Sequence, residues 1–183
     1  MMTINNKEEV ASRTSAQPAN KTQPVLRAPN LDDAKAVHAL ITASPPLDVN
    51  SVYVYLLLSH HFTDTCVVAE LDNEIVGFVS AYVPPKTPDV LFVWQVAVHE
   101  RGRGLGLGKS MLQEILQRPG LQNIRFVETT VGPDNAASRG MFASLARKAG
   151  TEINETALFE GHHFGEQAHE DERLLRIGPF TEK

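Results

Sequence analysis

The chain has 183 residues, 42% of them apolar, and a formal net charge of −5. That is enough apolar material for one domain of ordinary size. The acidic balance gives no electrostatic ground for nucleic acid or an anionic membrane as a partner.

Residues Met1 to Gln23 are rich in Ser, Thr, Asn, Gln and Lys and hold no apolar stretch of the kind a secretion signal needs. They are expected to form a disordered tail, with residues 24–183 as a single domain. No segment has the ~18 apolar residues of a membrane span, so the expected location is the cytoplasm. "VLRAPN" (Val25 to Asn30) reads as a short first strand. Asn30 is placed to cap the helix "LDDAKAVHALITAS", whose first turn holds Asp32 and Asp33, where the helix dipole favours negative charge. Val37, Leu40 and Ile41 make its apolar stripe. "PPLDVNS" breaks it. Asn50 or Ser51 then offers a cap for "VYVYLLLSHHF", whose β-branched and aromatic residues leave helix and strand both open. His60 and His61 at its end carry no assigned role.

Cys66 is the only cysteine, lies in the apolar run "TCVVAEL", and reads as a packing thiol. "CVVAEL" and "EIVGFVSAYV" form a β-hairpin around the turn dipeptide Asp72-Asn73. After the loop "PPKTPD", the almost wholly apolar "VLFVWQVAV" (Val90 to Val98) is expected to be a central strand covered on both faces. "RGRGLGLGKSML" follows, and Met111, Leu112, Ile115 and Leu116 then fall at helical spacing until Pro119-Gly120. "IRFVETTV" is the next strand, and "GPDNAASRGMFASLARKAG" a helix capped by Asp134 or Asn135. "ALFEGHHF" and "RLLRIGPF" are expected as two last strands around the loop "GEQAHEDE".

Glycines at 102, 104, 106 and 108 leave backbone N–H groups open to a ligand. A Walker A loop, G-x-x-x-x-G-K-[ST], would end at Gly108-Lys109-Ser110, but Arg103 stands where its first glycine belongs. A dinucleotide G-x-G-x-x-G fails from Gly102, which ends on Leu107, and from Gly104, which ends on Lys109. What remains is a strand, a short loop, and Arg101-x-x-Gly104-x-Gly106 opening a helix. Such a loop lets the backbone close on a pyrophosphate at the helix N-terminus.

This stretch resembles the acyl-coenzyme A loop of the GNAT superfamily of N-acetyltransferases, [QR]-x-x-G-x-[GA]. Asn135-Ala-Ala-Ser138-Arg-Gly-Met141-Phe142 is similar to the family's second element, N-x-x-[AS]-x-x-[LM]-[YF], on the helix after the next strand. The likeness runs from about Val25 to Phe180. It implies an α/β fold with a mixed, mostly antiparallel central sheet flanked by helices, its central strands splayed to hold acetyl-CoA as cosubstrate. It also implies that the backbone of Val96, Ala97 and Val98 meets the pantetheine arm and stabilises the oxyanion. Arg101, Arg103, Gly104, Leu105, Gly106, Gly108 and Lys109 would hold the phosphates, and Asn135, Ser138 and Phe142 would flank the arm. Many relatives place a tyrosine where this chain has Phe142, so the donor of a proton to the leaving thiolate stays open. Homodimers are expected from the same resemblance.

Four further stretches, "PPLDVNSVYVYLLLSHHF", "VWQVAV", "FVETTVGPDNAAS" and "HEDERLLRIGPF", look like the diaminobutyrate acetyltransferases of ectoine biosynthesis. That resemblance implies L-2,4-diaminobutyrate, acetylated on its γ-amine, as substrate. An acetyltransferase for another small amine, and an acetyl-CoA-binding module without catalysis, are the other readings. Asp48 is either a turn carboxylate or an ammonium binder. Tyr53 offers a phenol beside it or packs in the core. Trp94, the only tryptophan, covers the substrate by cation–π contact or fills the core. Glu128 interrupts an apolar strand, where a carboxylate costs energy unless paired or wet. It binds the amine and relays its proton, or it faces outward by alternation. His169, by resemblance, reaches the pocket as carboxylate binder or proton carrier. His162, His163 and His169 with Glu166, Glu170 and Asp171 match no standard metal spacing, and no metal is expected.

Overall fold

The apolar strands Val67–Leu71, Glu74–Tyr82 and Val90–Val98 serve two cores at once, and this decides the architecture. The computed structural model describes residues 23–165 and 171–180. The expected tail, apart from Gln23, lies outside these residues, as do Glu166 to Glu170 with His169. Seven strands form one sheet: β1 (Val25–Arg27), β2 (Val67–Leu71), β3 (Glu74–Tyr82), β4 (Val90–Val98), β5 (Phe126–Val131), β6 (Ile153–Phe159) and β7 (Glu172–Ile177). Their order is β1-β2-β3-β4-β5-β7-β6, and every neighbouring pair is antiparallel except β4–β5, which is parallel. This is the mixed, mostly antiparallel sheet that the resemblance implies.

Helices α1 (Ala34–Thr42) and α2 (Val52–His61) cover one face, and α3 (Leu107–Leu116) and α4 (Ala136–Ala149) the other. Val67 and Ala69 point to the α3 side, where Met111, Leu112 and Ile115 are buried, while Cys66 and Val68 point to the α1–α2 side against Val37, Ile41, Tyr55 and Phe78. The uninterrupted apolar runs follow from this double coverage. Among the described residues no helix is long and apolar enough to cross a membrane.

Local signals set most boundaries. Asn30 accepts from the Asp32 amide and shares a capping box with Asp33, though the first turn is 3-10 (Leu31–Asp33) before α1 begins. The Asp72-Asn73 turn has positive φ at both residues, as a tight hairpin requires. The ambiguous "VYVYLLLSHH" is a helix. Its apolar residues lie all round the helix, with Tyr55 and Leu58 buried and Tyr53 66% exposed, so periodicity alone does not mark a face. "ALFEGHHF" is only partly a strand. β6 begins earlier, at Ile153, and pairs with β7 from Ile153↔Ile177 to Phe159↔Glu172. Gly161–Phe164 then form a 3-10 turn, closed by the Glu160 amide donating to His163 Nδ1 at 2.9 Å.

Two irregularities in β4 create the site. Ser80 pairs with Gln95 but Ala81 pairs with Val93, so Trp94 is an extra residue, a β-bulge. Leu91 and Val93 face the α3 core before it, and Val96 and Val98 face that core after it. The pairing of β4 with β5 runs only from Val90↔Phe126 to Val93↔Thr129 and stops at the same point. The two strands part there.

Arg118, just beyond α3, locks this frame from the far end. Its Nη1 donates to the carbonyls of Thr63 at 2.7 Å and Cys66 at 2.9 Å, and its Nη2 to Glu114 at 2.8 Å. Arg118→Met keeps the stem but leaves both carbonyls without that donor. It is expected to cost about 1.5–3 kcal/mol, read as a lower urea midpoint, while the folded protein keeps its affinity for coenzyme A.

Candidate active site

The glycine loop is built by backbone conformation. After β4, His99 Nδ1 accepts from the Arg101 amide at 3.2 Å and starts a 3-10 turn over Glu100–Gly102. Gly104 (φ 76) and Gly106 (φ 67) are left-handed, and no atom lies within 4 Å of where a Cβ would stand on either. They are glycines because of φ, not crowding. Gly108 is the opposite case, since a Cβ there would lie 2.6 Å from Met141 Sδ of α4. The Ser110 amide donates to the Gly106 carbonyl at 3.0 Å as the helix begins. Among the described residues the amides from Gly104 to Lys109 have no partner. A row of free donors at the start of a helix fits an anion such as a pyrophosphate.

The charged residues of the loop divide. The guanidinium of Arg101 is engaged by Asp72 at 2.9 Å and by Glu74, tying the loop to the β2–β3 turn. Lys109 Nζ donates to Ser144 Oγ at 3.3 Å. Leu105 is exposed. Asn135 caps α4, its Oδ1 accepting from the Ser138 amide at 3.0 Å, so the N-x-x-S spacing is that of an N-cap and its third helical residue.

Where β4 and β5 part, a cavity of about 1270 Å³ opens. It gathers Asp48, Trp94, Val96, Glu128, Asn135, Ser138 and Phe142. The bulge turns Trp94 outward, 43% exposed on an otherwise buried strand. Tyr53 does not line the cavity, nor do Val98 and the residues of the glycine loop, and Ala97 is buried in the α1–α2 core. His169 lies outside the described residues.

The lining has one sign of charge. It contains Asp48, Glu128, Asp134 and Glu172, and among the described lining residues there is no Lys, Arg or His. Arg176 of β7 donates to Glu128 Oε1 and stacks 3.8 Å from the centre of the Phe126 ring. Oε2 of Glu128 has no partner among the described residues. Tyr82 also lines the cavity, and burial pushes its phenol up from its ordinary value. Tyr82, Gln95 and Glu172 escape a reading of the sequence. Tyr82 and Gln95 sit in long apolar runs, and Glu172 opens a strand whose neighbours on either side are charged. Among the described residues no group of three or more His, Cys, Asp or Glu is placed to hold a metal ion.

A free amide loop after a bulged central strand, a second helix capped by Asn135 and a sheet splayed between them define an acyl-coenzyme A transferase site. Residues 34–146 match the Acetyltransferase (GNAT) family, and the chain belongs to that family. Within it the chain sits among the L-2,4-diaminobutyric acid acetyltransferases. It is 54% identical over 167 residues to the one from Bordetella parapertussis, covering 91% of this chain and 90% of that one. It is 49% identical to that of Methylotuvimicrobium alcaliphilum, covering 85% and 90%. The diaminobutyrate acetyltransferase EctA from Paenibacillus lautus, whose structure is solved in complex with L-2,4-diaminobutyric acid and coenzyme A, is 41% identical. It matches with a TM-score of 0.85 over 88% of this chain and 98% of its own.

Cys66 stands apart from the site. Its thiol is fully buried in the α1–α2 core, 3.9 Å from the Ala81 carbonyl, and burial pushes it up to about 11. Iodoacetamide at pH 8 is expected to leave the native protein unlabelled and to label it fully once unfolded, as read by intact mass.

Proposed function

We propose that this chain moves the acetyl group of acetyl-CoA to the γ-amine of L-2,4-diaminobutyrate, in a ternary complex in the cytoplasm, giving N4-acetyl-L-2,4-diaminobutyrate for ectoine biosynthesis. The observation that carries this reading is the cavity beside the splayed strands, whose described lining holds four carboxylates, only Glu128 of them ion-paired with an arginine among the described residues. Such a lining attracts an ammonium-bearing substrate and suits an amine far better than an anion. The relatives named above support the choice of amine.

Acetyl-CoA supplies the activated acyl carbonyl. The loop amides from Gly104 to Lys109 bind its pyrophosphate, with Arg103 and Lys109 adding charge at the rim. Asn135, Ser138 and Phe142 flank its pantetheine arm, and backbone N–H groups of the Val96–Val98 segment stabilise the developing oxyanion. On the amine side, Asp48 binds an ammonium and the Trp94 ring covers the methylenes and their charge. An attacking amine must be neutral, so the Glu128 carboxylate takes its proton, directly or through water. Its free Oε2 is the acceptor, while Arg176 holds Oε1 and fixes the side chain. Phe142 has no proton to give, and the departing thiolate takes one from water in the open cavity. A homodimer belongs to the same reading. β6 is an edge strand whose Leu158 and Phe159 are 39% and 45% exposed beside the cavity, apolar surface suited to cover by a second copy.

Free-thiol release with acetyl-CoA and a panel of amines tests the substrate. Fast turnover with L-2,4-diaminobutyrate and little with putrescine or lysine is expected. Broad turnover points to another small-amine acetyltransferase, and binding without turnover to a non-catalytic module. Glu128→Gln is expected to lower kcat by about 10²–10⁴-fold with the coenzyme dissociation constant nearly unchanged. Equal turnover in the variant removes Glu128 from the mechanism.

A further inference from the structure

Asp48 reaches the cavity from the connection between α1 and α2, a segment with little structure of its own. Ser44 and Leu47 amides donate back to Ile41 and Ser44, and the Val54 amide donates to Ser51 at the start of α2. Between them, from Asp48 to Asn50, one hydrogen bond to the rest of the chain is found among the described residues: Gln95 Nε2 donates to the Asp48 carbonyl at 2.8 Å. Asn50 adds nothing, its buried Nδ2 having no partner.

Gln95 is well placed to bear this. It follows the bulged Trp94 and is only 3% exposed. The bulge turns its side chain to the α1–α2 side of the sheet, where the Tyr55 hydroxyl donates to its Oε1 at 3.4 Å. Its own amide donates to Ser80 Oγ at 3.2 Å. Tyr55 is fully buried and fixed edge-on by Phe78 and His38, with ring centres 6.2 and 5.9 Å apart. With the phenol donating to Oε1, the amide can turn only its Nε2 to the Asp48 carbonyl. A buried polar side chain in an apolar strand is retained at a cost unless both its ends are satisfied, and here each end has a partner.

We infer that Gln95 is a positioning residue for the amine substrate: by holding the Asp48 backbone against the bulge of β4 it sets the Asp48 carboxylate into the cavity beside Trp94. This rests on the reading of the cavity as the amine site. It separates the two substrates, because nothing in this chain of contacts reaches the glycine loop. Loss of the bond frees the Asp48 segment and leaves the coenzyme side intact.

Gln95→Met keeps the volume and removes both side-chain bonds. In the full chain it is expected to raise the KM for L-2,4-diaminobutyrate by about tenfold, the worth of one well-made buried hydrogen bond, with kcat and the KM for acetyl-CoA nearly unchanged. Tyr55→Phe removes only the support behind Gln95 and is expected to act in the same direction more weakly. Limited proteolysis gives a readout independent of turnover: thermolysin cuts within residues 47–52 faster in folded Gln95→Met than in the wild type, and its cutting within residues 104–109 is unchanged. An unchanged amine KM in both variants overturns the inference. So does a parallel loss of kcat, coenzyme KM and amine KM, which would mean general destabilisation. If the wild-type chain fails to acetylate L-2,4-diaminobutyrate, the assigned substrate falls. The proteolysis comparison still decides the anchor, and unchanged cutting within 47–52 refutes it.

Discussion

One extra residue in the central strand governs the rest of the structure. A strand alternates its side chains strictly, so inserting Trp94 without a partner moves every later residue of β4 to the other face. Without it, Gln95 would point into the α3–α4 core and Val96 into the α1–α2 core, and both would be misplaced. With it, Val96 and Val98 rejoin the same apolar cluster as Leu91 and Val93, Gln95 turns to Tyr55, and Trp94 is expelled toward the cavity. The bulge also ends the parallel pairing with β5. Loss of ladder pairing beyond Val93 and Thr129 is the cost of opening a cavity in the middle of a sheet, where backbone groups are otherwise obliged to pair.

The electrostatics of that cavity follow from which strands border it. β5 contributes Glu128 on the face opposite Val127 and Val131, which pack in the α3–α4 core, and β7 brings Arg176 to it from the neighbouring strand at the register position Glu128↔Arg176. A cross-strand ion pair stabilises a half-buried carboxylate that would otherwise be costly. Among the described residues the same pair leaves the other oxygen of Glu128 without a partner, as the proposed proton acceptor requires. Asp48, Asp134 and Glu172 come from a loop, a turn and a strand end. Among the described lining residues none is a cation, and none of these three carboxylates is ion-paired there, so their charge is open to a ligand.

What the sequence discloses and what it hides have separate physical causes. The glycine loop is legible because positive φ has one cheap solution, and Gly104 and Gly106 adopt it. Asn135 and Ser138 are legible because helix capping fixes their spacing. The sheet is legible from its apolar runs, yet those runs conceal the bulge: when both faces are buried, a change of face leaves no trace in hydropathy. Gln95 is hidden for the same reason, a lone amide in "VLFVWQVAV" whose partners lie 40 and 47 residues away. Tyr53 and Tyr55 show the limit for α2. Both are tyrosines on one apolar helix, and only packing against α1 and Phe78 decides that Tyr55 goes inward and Tyr53 outward. Arg101 matches its motif, but its guanidinium answers Asp72 and Glu74, acids of a hairpin distant in sequence.

The two halves of the proposed site are therefore held by different kinds of structure. The coenzyme half is backbone: amides at the start of α3, two left-handed glycines and a cap on α4, all fixed by regular elements on one side of the sheet. Side-chain identity matters little there, provided the φ angles and the close α3–α4 approach at Gly108 are kept. The amine half consists of side chains, and among the described residues the one hydrogen bond that residues 48–50 make to the rest of the chain is the one from Gln95. A protein so divided can lose discrimination between amines without losing its grip on the acyl carrier, because the free energy holding each half is stored in contacts that do not overlap. That division has its origin in β4, where one face of a single strand serves the carrier and the other, after one inserted residue, orders the wall that meets the acceptor.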